Sequence, residues 1–341
     1  MKTIQITRYG PPEVLQERDN PSPTLAAGQL RIGVESAGVN FADLLQRLGL
    51  YGNAPPRPYG PGFEVAGSVL DADASAPDWK VGERVVSMTH FGGYAEEVVV
   101  DAATVRRIPE KMSFESAAAL PVNYLTAWFC LVVMGRLQRG ERVLIQTGAG
   151  GVGIAAVQIA LHLGAEIFAT TGSPEKVAFL KSIGVDHPID YAAADFRAEV
   201  ERIAGRRNID LVIDAVGGDA LAAGAKLLRP LGRLVSYGLS AAAGSRRNLL
   251  RTALAWWRTP HFSPLSLIQH NIGVYGFHLA LLRSREREVA EAFDQILRLC
   301  EEGAVKPILA ATFPLTATGA AEAHRFIHER KNIGKVVLVR A

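Results

Sequence analysis

The sequence predicts an α/β protein built from a β-rich part and a doubly wound parallel sheet. The first observation is a regular alternation of short apolar segments and helical patterns that starts near residue 140. The second is a glycine-rich turn that directly follows the first of those apolar segments. The third is the different character of the first 120 residues, where extended segments lie between proline- and glycine-rich turns.

The alternating half starts with a short apolar strand at residues 142–147, followed by glycines and a helix at 151–164. The alternation continues through strands at 166–171, 186–191, 209–215 and 232–238 and helices at 174–183, 196–204 and 220–228. Because parallel strands need crossover connections, this half is predicted to form a parallel sheet with helices on both faces.

The first half contains extended segments at 30–37, 64–70, 84–87 and 95–100, and a proline-rich loop at 51–61. We expect a mostly antiparallel β domain there. Residues 286–340 predict a helix, a strand near Thr312, a second helix and a final strand at 335–339.

The composition excludes several classes of protein. The chain has 341 residues, 48% hydrophobic and 21% charged, which is enough for two domains with buried cores. A formal net charge of +3 excludes a bulk nucleic-acid binder, and two cysteines, Cys130 and Cys300, exclude a disulfide scaffold. The first residues carry no secretory pattern, and the uncharged stretches 116–135 and 143–165 contain polar residues or glycines. We expect a cytoplasmic protein without membrane association.

The glycine-rich turn predicts a dinucleotide site. Its residues are Gly148, Ala149, Gly150, Gly151, Val152 and Gly153, which match the pattern G-x-G-x-x-G. The turn follows a predicted strand and opens a predicted helix, as such a site requires. Glycines let the backbone approach a pyrophosphate, and the helix N-terminus offers it unpaired N–H groups.

The end of the next strand favours NADPH over NADH. An NAD site usually has an acidic residue there for the ribose 2′-hydroxyl, but this chain has Thr171, Gly172 and Ser173. Hydroxyl groups and Lys176 suit a 2′-phosphate instead. Glu175 is acidic and favours NADH, unless its side chain faces solvent in the first turn of the helix. The alternative for Lys176 is likewise a solvent-exposed position on the helix, without a phosphate contact.

Several motifs together resemble a known family. They are GVNFAD at 38–43, GLY at 49–51, PGFEVAG at 61–67, GERV at 82–85, LTA at 125–127 and GERVLIQTGAGGVGIAAVQ at 140–158. With them, the chain resembles the zinc-free quinone oxidoreductases of the medium-chain dehydrogenase/reductase superfamily. The second half is similar to the vesicle amine transport protein branch in HPIDY at 187–191, RNL at 247–249, WW at 256–257, GFHL at 276–279 and KNIGKV at 331–336.

The resemblance implies a GroES-like catalytic domain over 1–122, a Rossmann NADP-binding domain over 123–277 and a return segment over 278–341 that completes the first domain. The site then lies in the cleft between the domains. The resemblance also implies Tyr191 and Lys176 near the adenosine phosphate and Asn332 near the cofactor. Thr126, Gly238 and Phe277 complete the cofactor residues that we predict. Related proteins commonly dimerise through the Rossmann sheet edge, here around 272–277, so we expect a homodimer.

Zinc-dependent relatives have a cysteine where this chain has Asn40, a histidine where it has Phe63 and another cysteine near Val122. A catalytic zinc needs three protein ligands, so we expect no metal. Hydride transfer without a metal needs an acceptor that is already electrophilic. We therefore predict an NADPH-dependent reductase of an enone, a quinone or an enoyl-CoA thioester.

Two polar residues on either side of a short predicted helix are the candidate catalytic groups. Tyr51 is expected to hydrogen-bond the substrate carbonyl or to protonate the α carbon, a role proposed for the matching tyrosine of related enoyl-thioester reductases. Its alternative is packing against the proline-rich loop. Asn40 is the second candidate, with the alternative of a buried group that holds its loop. Asp43 is expected to anchor the helix.

A basic segment leaves other functions open. Between Asp219 and Glu286 there is no acidic residue but nine lysines and arginines, among them Arg246, Arg247, Arg251 and Arg258. We expect a helix there that packs Trp256 and Trp257 inward, with a phosphate or membrane contact as the alternative. The alternative functions are a dedicated short-chain enoyl-CoA reductase and a non-catalytic or membrane-associated NADPH-binding protein.

Overall fold

The computed structural model describes residues 1–242 and 249–340. Arg246 and Arg247 of the basic segment, and the side chain of Arg251, lie outside the described residues.

Thirteen α-helices and β-strands lie between residues 2 and 171. They are β1 (Lys2–Ile6), β2 (Leu15–Asp19), β3 (Gln29–Val39), α1 (Phe41–Leu48), β4 (Glu64–Ala72), β5 (Arg84–Met88), β6 (Glu97–Asp101), β7 (Val105–Arg107), α2 (Phe114–Ala118), α3 (Pro121–Trp128), β8 (Arg142–Ile145), α4 (Gly151–Leu163) and β9 (Glu166–Thr171). Residues 51–61 form the predicted loop, which contains neither a helix nor a strand.

The remaining elements continue the alternation and then return to the first sheet. They are α5 (Pro174–Ser182), β10 (His187–Asp190), α6 (Phe196–Ala204), β11 (Ile209–Asp214), α7 (Gly218–Leu227), β12 (Leu228–Ser236), α8 (Leu249–Arg258), α9 (Pro264–His270), β13 (Gly273–Gly276), α10 (Glu286–Glu301), β14 (Leu309–Pro314), α11 (Ala317–His328) and β15 (Lys335–Val339).

The first sheet is made from both ends of the chain. Its order is β14-β15-β3-β4-β5-β7, with β6 also paired to β3. All these pairs are antiparallel except β14 with β15, which is parallel. The strands β14 and β15 that complete the first sheet therefore follow the second sheet in the sequence, and the loop before β15 lies beside the second sheet.

The second sheet is six-stranded and parallel, in the order β10-β9-β8-β11-β12-β13. The chain leaves β8 in one direction through β9 and β10, and then crosses to β11 on the other side. Ligands of such sheets bind at the carboxyl ends of the strands where this reversal occurs. The predicted two-part α/β architecture is confirmed.

The second sheet is buried on both faces, which explains its apolar strands. Every residue of β11 is buried, and Ala155, Ala156 and Ile159 of α4 have no exposed surface. Among the described residues, no helix combines the length and apolarity that a membrane crossing needs.

The expectation that the tryptophan pair packs inward is wrong. Trp256 is 64% exposed and Trp257 is 74% exposed, whereas the small Ala255 of α8 is buried. Leu250, Leu254 and Trp257 follow helical spacing and are all exposed, so α8 presents an apolar stripe outward. Arg258 pairs with Asp219 at 3.3 Å.

Candidate functional site

A cavity of about 1220 Å³ lies where the two sheets meet. It is lined by α1 and the following loop, by the carboxyl ends of the second sheet, and by the segment between α11 and β15. The predicted site residues that line it are Asn40, Tyr51, Thr126, Gly150, Gly151, Val152, Gly153, Thr171, Gly172, Ser173, Lys176, Tyr191, Gly238, Phe277 and Asn332. Gly148 packs behind the turn, where an added Cβ would lie 2.8 Å from the Cβ of Ala169.

The glycine-rich turn connects β8 to α4 in very little space. An added Cβ on Gly153 would lie 2.3 Å from the Thr147 carbonyl oxygen, and one on Gly151 would lie 2.4 Å from the amide nitrogen of Asn123. The N–H of Gly334 donates to the Ala149 carbonyl at 3.0 Å, so the segment before β15 holds the turn. The N-terminus of α4 opens into the cavity and suits an anionic group.

Two cations and a phenol meet at the α5 end of the cavity. The ammonium of Lys176 donates to the carbonyl oxygen of Arg330, and the guanidinium of Arg330 donates to the Tyr191 hydroxyl at 3.2 Å. Burial first, and the nearby Arg330 charge second, lower the pKa of Lys176. An anion at this end would relieve that repulsion between the cations.

Gly172 leaves the space that the Tyr191 hydroxyl occupies. An added Cβ at Gly172 would lie only 2.6 Å from the Tyr191 hydroxyl oxygen. The side chain of Ser173 caps α5 by accepting from the Lys176 N–H at 3.3 Å. The end of β9 therefore combines a required glycine with a capping serine, and none of Thr171, Gly172 and Ser173 is acidic.

Tyr51 lines the same cavity and contacts a residue of the second half. Its hydroxyl is 3.1 Å from Nε2 of His278, and its ring centroid lies 5.5 Å from that of Phe63. His278 follows β13 and is half-buried. Burial lowers the pKa of His278, so its imidazole is neutral at neutral pH. The two residues that meet here are separated by 227 positions.

Asn40 belongs to a buried polar cluster with Glu64 and Lys335. The Asn40 amide donates to Glu64 Oε1 at 2.7 Å, and its oxygen accepts from the Lys335 ammonium at 2.6 Å. Lys335 also pairs directly with Glu64 Oε1, while Glu64 Oε2 accepts from the Val122 N–H at 2.7 Å. Glu64 has no exposed surface and Lys335 has 3%, so each of these buried charges depends on the other for compensation.

These residues do not fit a zinc ion. Asn40, Phe63 and Val122, which the family resemblance matches to zinc-ligand positions, offer neither a thiolate nor an imidazole. Glu64 uses both oxygens for Asn40, Lys335 and Val122. Within residues 1–242 and 249–340, no group of three histidine, cysteine or acidic side chains is placed to hold a metal.

Asp43 anchors α1, as predicted. Its carboxylate accepts from the Asn40 N–H at 2.8 Å, the Gly62 N–H at 3.1 Å and the Tyr94 hydroxyl at 3.2 Å. Burial is the largest cause and raises the pKa of Asp43 to about 7, against the Asn40 and Gly62 N–H groups and the Lys335 charge, which lower it. The carboxylate fixes the helix whose two ends place Asn40 and Tyr51.

A buried arginine ties α1 to α11. Arg47 has no exposed surface, and it donates to Nδ1 of His324 at 3.2 Å and to Nε2 of His328 at 2.8 Å. Because a guanidinium only donates, both ring nitrogens must be unprotonated. Burial, together with the Arg47 charge, lowers the pKa of His328 to about 4 and that of His324 well below its ordinary value.

Sequence reasoning missed Arg330 and His278 as site residues and did not foresee the buried contacts of Lys335. All three contact partners that are distant in the sequence. The only signals were two motifs. GFHL contains His278, and KNIGKV contains Lys335 and begins one residue after Arg330.

Comparison with known proteins agrees with this geometry. Residues 26–110 match the family described as alcohol dehydrogenase GroES-like domain, and 151–298 match the family described as zinc-binding dehydrogenase. The chain is 40% identical to the human synaptic vesicle membrane protein VAT-1 homolog over 95% of its own length and 82% of the relative.

Solved structures of oxidoreductases have the same fold over nearly the whole chain. Escherichia coli quinone oxidoreductase complexed with NADPH superposes with a TM-score of 0.87 at 28% identity, covering 99% of this chain and all of that one (100%). The CurK enoyl reductase superposes with a TM-score of 0.86 at 29% identity, covering 100% of this chain and 99% of that one.

Proposed function

Since the chain belongs to the quinone oxidoreductase and VAT-1-like group of the medium-chain dehydrogenase/reductase superfamily, we propose that it is an NADPH-dependent, zinc-independent reductase of activated carbon–carbon double bonds. The observation that carries the proposal is one cavity lined both by two cations that meet, Lys176 and Arg330, and by the phenol of Tyr51. Its volume exceeds that of a site for one drug-sized ligand, which supports a dinucleotide and a small substrate side by side.

The cofactor end fits NADPH by charge and by shape. The turn from Gly150 to Gly153 and the N-terminus of α4 would hold the pyrophosphate. Lys176, Arg330 and Tyr191 would hold the 2′-phosphate, because they supply two cations and a hydroxyl at one point. The residues that would line the nicotinamide half are Thr126, Gly238, Phe277 and Asn332. When bound, NADPH supplies the hydride that the β carbon accepts.

The chain's own contribution to the reaction is orientation and control of a proton. Reduction of a conjugated double bond leaves negative charge on the carbonyl oxygen and requires a proton at the α carbon. The Tyr51 hydroxyl lines the cavity and is the group we assign to these tasks. Asn40 keeps Lys335 and Glu64 in place through both polar atoms of its side chain, so we assign it a supporting role.

The charges that line the cavity favour an uncharged substrate. Among the described residues, the lining cations are Arg106, Lys176, Arg330 and Lys335. Arg106 is paired with Asp294 at 2.6 Å and Lys335 with Glu64, whereas Lys176 and Arg330 belong to the cofactor end. Within the part of the chain that the structure describes, the substrate end thus offers no surplus cation for the phosphates of coenzyme A. We therefore favour an enone or a quinone, with an enoyl-CoA thioester as the alternative.

We also propose a homodimer formed through β13. This strand is at the edge of the six-stranded sheet, and Tyr275 and Gly276 on it are exposed. Leu231 beside it is 81% exposed, and its N–H donates to the Asn271 carbonyl at 2.6 Å. Pairing of two such edges would cover the exposed strand β13 and the Leu231 side chain. Sedimentation of the wild type and of Leu231→Glu tests this, with a dimer for the first and a larger monomer fraction for the second.

The apolar stripe of α8 favours a second candidate, an NADPH-binding protein that acts at a membrane without catalysis. Leu250 and Trp257 are exposed, and the relatives are named synaptic vesicle membrane proteins. A cytoplasmic location remains our prediction from the composition. The test that separates the candidates follows NADPH absorbance with a quinone, a simple enone and crotonyl-CoA. Oxidation with any of them supports the reductase, and binding without oxidation supports the second candidate.

A further inference from the structure

His278 holds the Tyr51 hydroxyl across the cavity between the two halves of the protein. Its Nε2 lies 3.1 Å from the Tyr51 oxygen, and the two ring centroids are 5.6 Å apart. The backbone around His278 is fixed on both sides. The N–H of Phe277 donates to the Ser236 carbonyl at 2.9 Å, and the His278 carbonyl accepts from the Leu281 N–H at 3.1 Å. Stacking of Phe277 on Phe129 at 5.4 Å holds the same segment.

The other ring nitrogen decides which atom donates in this contact. Nδ1 of His278 is buried and has no hydrogen-bond partner within the described ranges. A buried N–H without an acceptor costs more than a buried lone pair without a donor, so the imidazole proton belongs on Nε2. The Nε2–H group then donates to the Tyr51 oxygen.

We infer that His278 is a positioning residue for the reaction, which fixes the Tyr51 ring and donates a hydrogen bond to the oxygen from which the proton leaves. The inference rests on the proposed function, in which Tyr51 is the proton donor. After the β carbon has accepted hydride, the O–H bond of Tyr51 breaks and its proton forms the new C–H bond at the α carbon. The electron pair left on the Tyr51 oxygen is stabilised by the Nε2–H donor. Once the product has left, the phenolate takes a proton from solvent.

The first test measures the tautomer and needs no turnover. Spectra of protein labelled with ¹⁵N-histidine, assigned by comparison with His278→Gln, report which ring nitrogen carries the proton. The inference expects a proton on Nε2 of His278. A proton on Nδ1 would overturn it, whether or not the protein reduces any acceptor.

The second test uses kinetics with matched variants. His278→Phe keeps an aromatic ring without a donor and should lower kcat about tenfold, with the Kd for NADPH unchanged. His278→Gln keeps an N–H donor and should recover most of that loss. In a Tyr51→Phe background, His278→Phe should have no further effect. His162→Phe, at an exposed position on α4, is the control for the substitution itself.

The outcomes separate this inference from the proposed function. A wild type that reduces no acceptor contradicts the proposed function, while the tautomer measurement still decides the hydrogen bond. A wild type that is active and a His278→Phe variant with the same kcat contradict the inference alone. A full effect of His278→Phe in the Tyr51→Phe background contradicts it as well, because the histidine would then act independently of the tyrosine.

Discussion

Lys176 and Arg330 are 154 positions apart in the chain and meet at one end of the cavity, where the lysine ammonium donates to the arginine carbonyl oxygen. Tyr191 accepts a hydrogen bond from the Arg330 guanidinium beside them. The contact joins the second sheet to the segment that returns to the first sheet. It therefore links the return of the chain to the first sheet with the end of the cavity that we propose for the 2′-phosphate of NADPH.

Removal of either cation should weaken NADPH binding selectively. Lys176→Ala and Arg330→Ala should each raise the Kd for NADPH about 10- to 100-fold, because a charge-assisted hydrogen bond to phosphate is lost. The Kd for NADH should stay nearly the same, since NADH lacks the 2′-phosphate. Quenching of protein fluorescence by each nucleotide measures both constants.

Lys181→Ala is the matched control, because Lys181 is an exposed lysine on the same helix. Equal losses for the two nucleotides would contradict the assignment of Lys176 and Arg330. So would a wild type that binds NADH as tightly as NADPH.

A side chain at Gly153 should disturb the turn that holds the pyrophosphate. The Cβ of Gly153→Ala would lie 2.3 Å from one backbone oxygen and 2.6 Å from another, so the turn must shift. We expect a loss of about 1–3 kcal/mol in the free energy of unfolding, as for other overpacked sites, together with weaker NADPH binding. Urea unfolding measures the stability. Gly52→Ala, whose Cβ would meet nothing within 4 Å, is the control for stability and should unfold like the wild type.

The buried pair of Lys335 and Glu64 should be sensitive to the loss of one partner. Lys335→Met leaves a carboxylate without exposed surface and without its cation, so the free energy of unfolding should fall by about 3–5 kcal/mol. The double variant Lys335→Met with Glu64→Leu removes both charges and should recover part of that loss. An unchanged denaturation midpoint for Lys335→Met would show that this pair does not stabilise the fold.

Acid should unfold the protein partly through His328. Its pKa is lowered from 6.5 to about 4 in the folded state by burial and by the Arg47 charge. As the pH falls from 6.5 to 4, the unfolded chain therefore binds this proton first, and the stability present above pH 6.5 is lost. His328→Gln, which keeps an acceptor for Arg47, should reduce the loss by roughly 1–3 kcal/mol.

Urea unfolding at a series of pH values measures this difference. The glutamine side chain does not titrate, so the free energy of unfolding of the variant should depend less steeply on pH. Identical slopes for wild type and variant between those pH values would contradict the role of His328.

The repetitive half of the fold could be predicted because burial on both sheet faces leaves a simple pattern. The strands are short apolar runs, the helices lie between them, and the glycine turn at 148–153 follows the first strand. Tyr51, Lys176 and Tyr191 were predicted site residues, and the structure brings all three to the cavity. These predictions depended on local sequence or on motifs.

The features that could not be predicted depend on contacts between distant parts of the chain. Arg330 follows α11 and resembles any exposed loop arginine until the return of β15 to the first sheet places it beside Lys176. Lys335 resembles the first residue of an ordinary strand, although it is buried against Glu64. Hydrophobicity alone predicts that Trp256 and Trp257 of α8 pack inward. The helix instead buries the small Ala255, which allows close packing, and exposes both tryptophans.

The most direct test of the account measures NADPH oxidation and product together. Purified protein is mixed with NADPH and an α,β-unsaturated ketone, and the saturated ketone is determined by mass spectrometry. We expect equal molar amounts of NADPH oxidised and ketone formed, with no loss of rate after treatment with a zinc chelator and a much lower rate with NADH. Binding of NADPH without oxidation in the presence of enones, quinones and crotonyl-CoA would contradict the account.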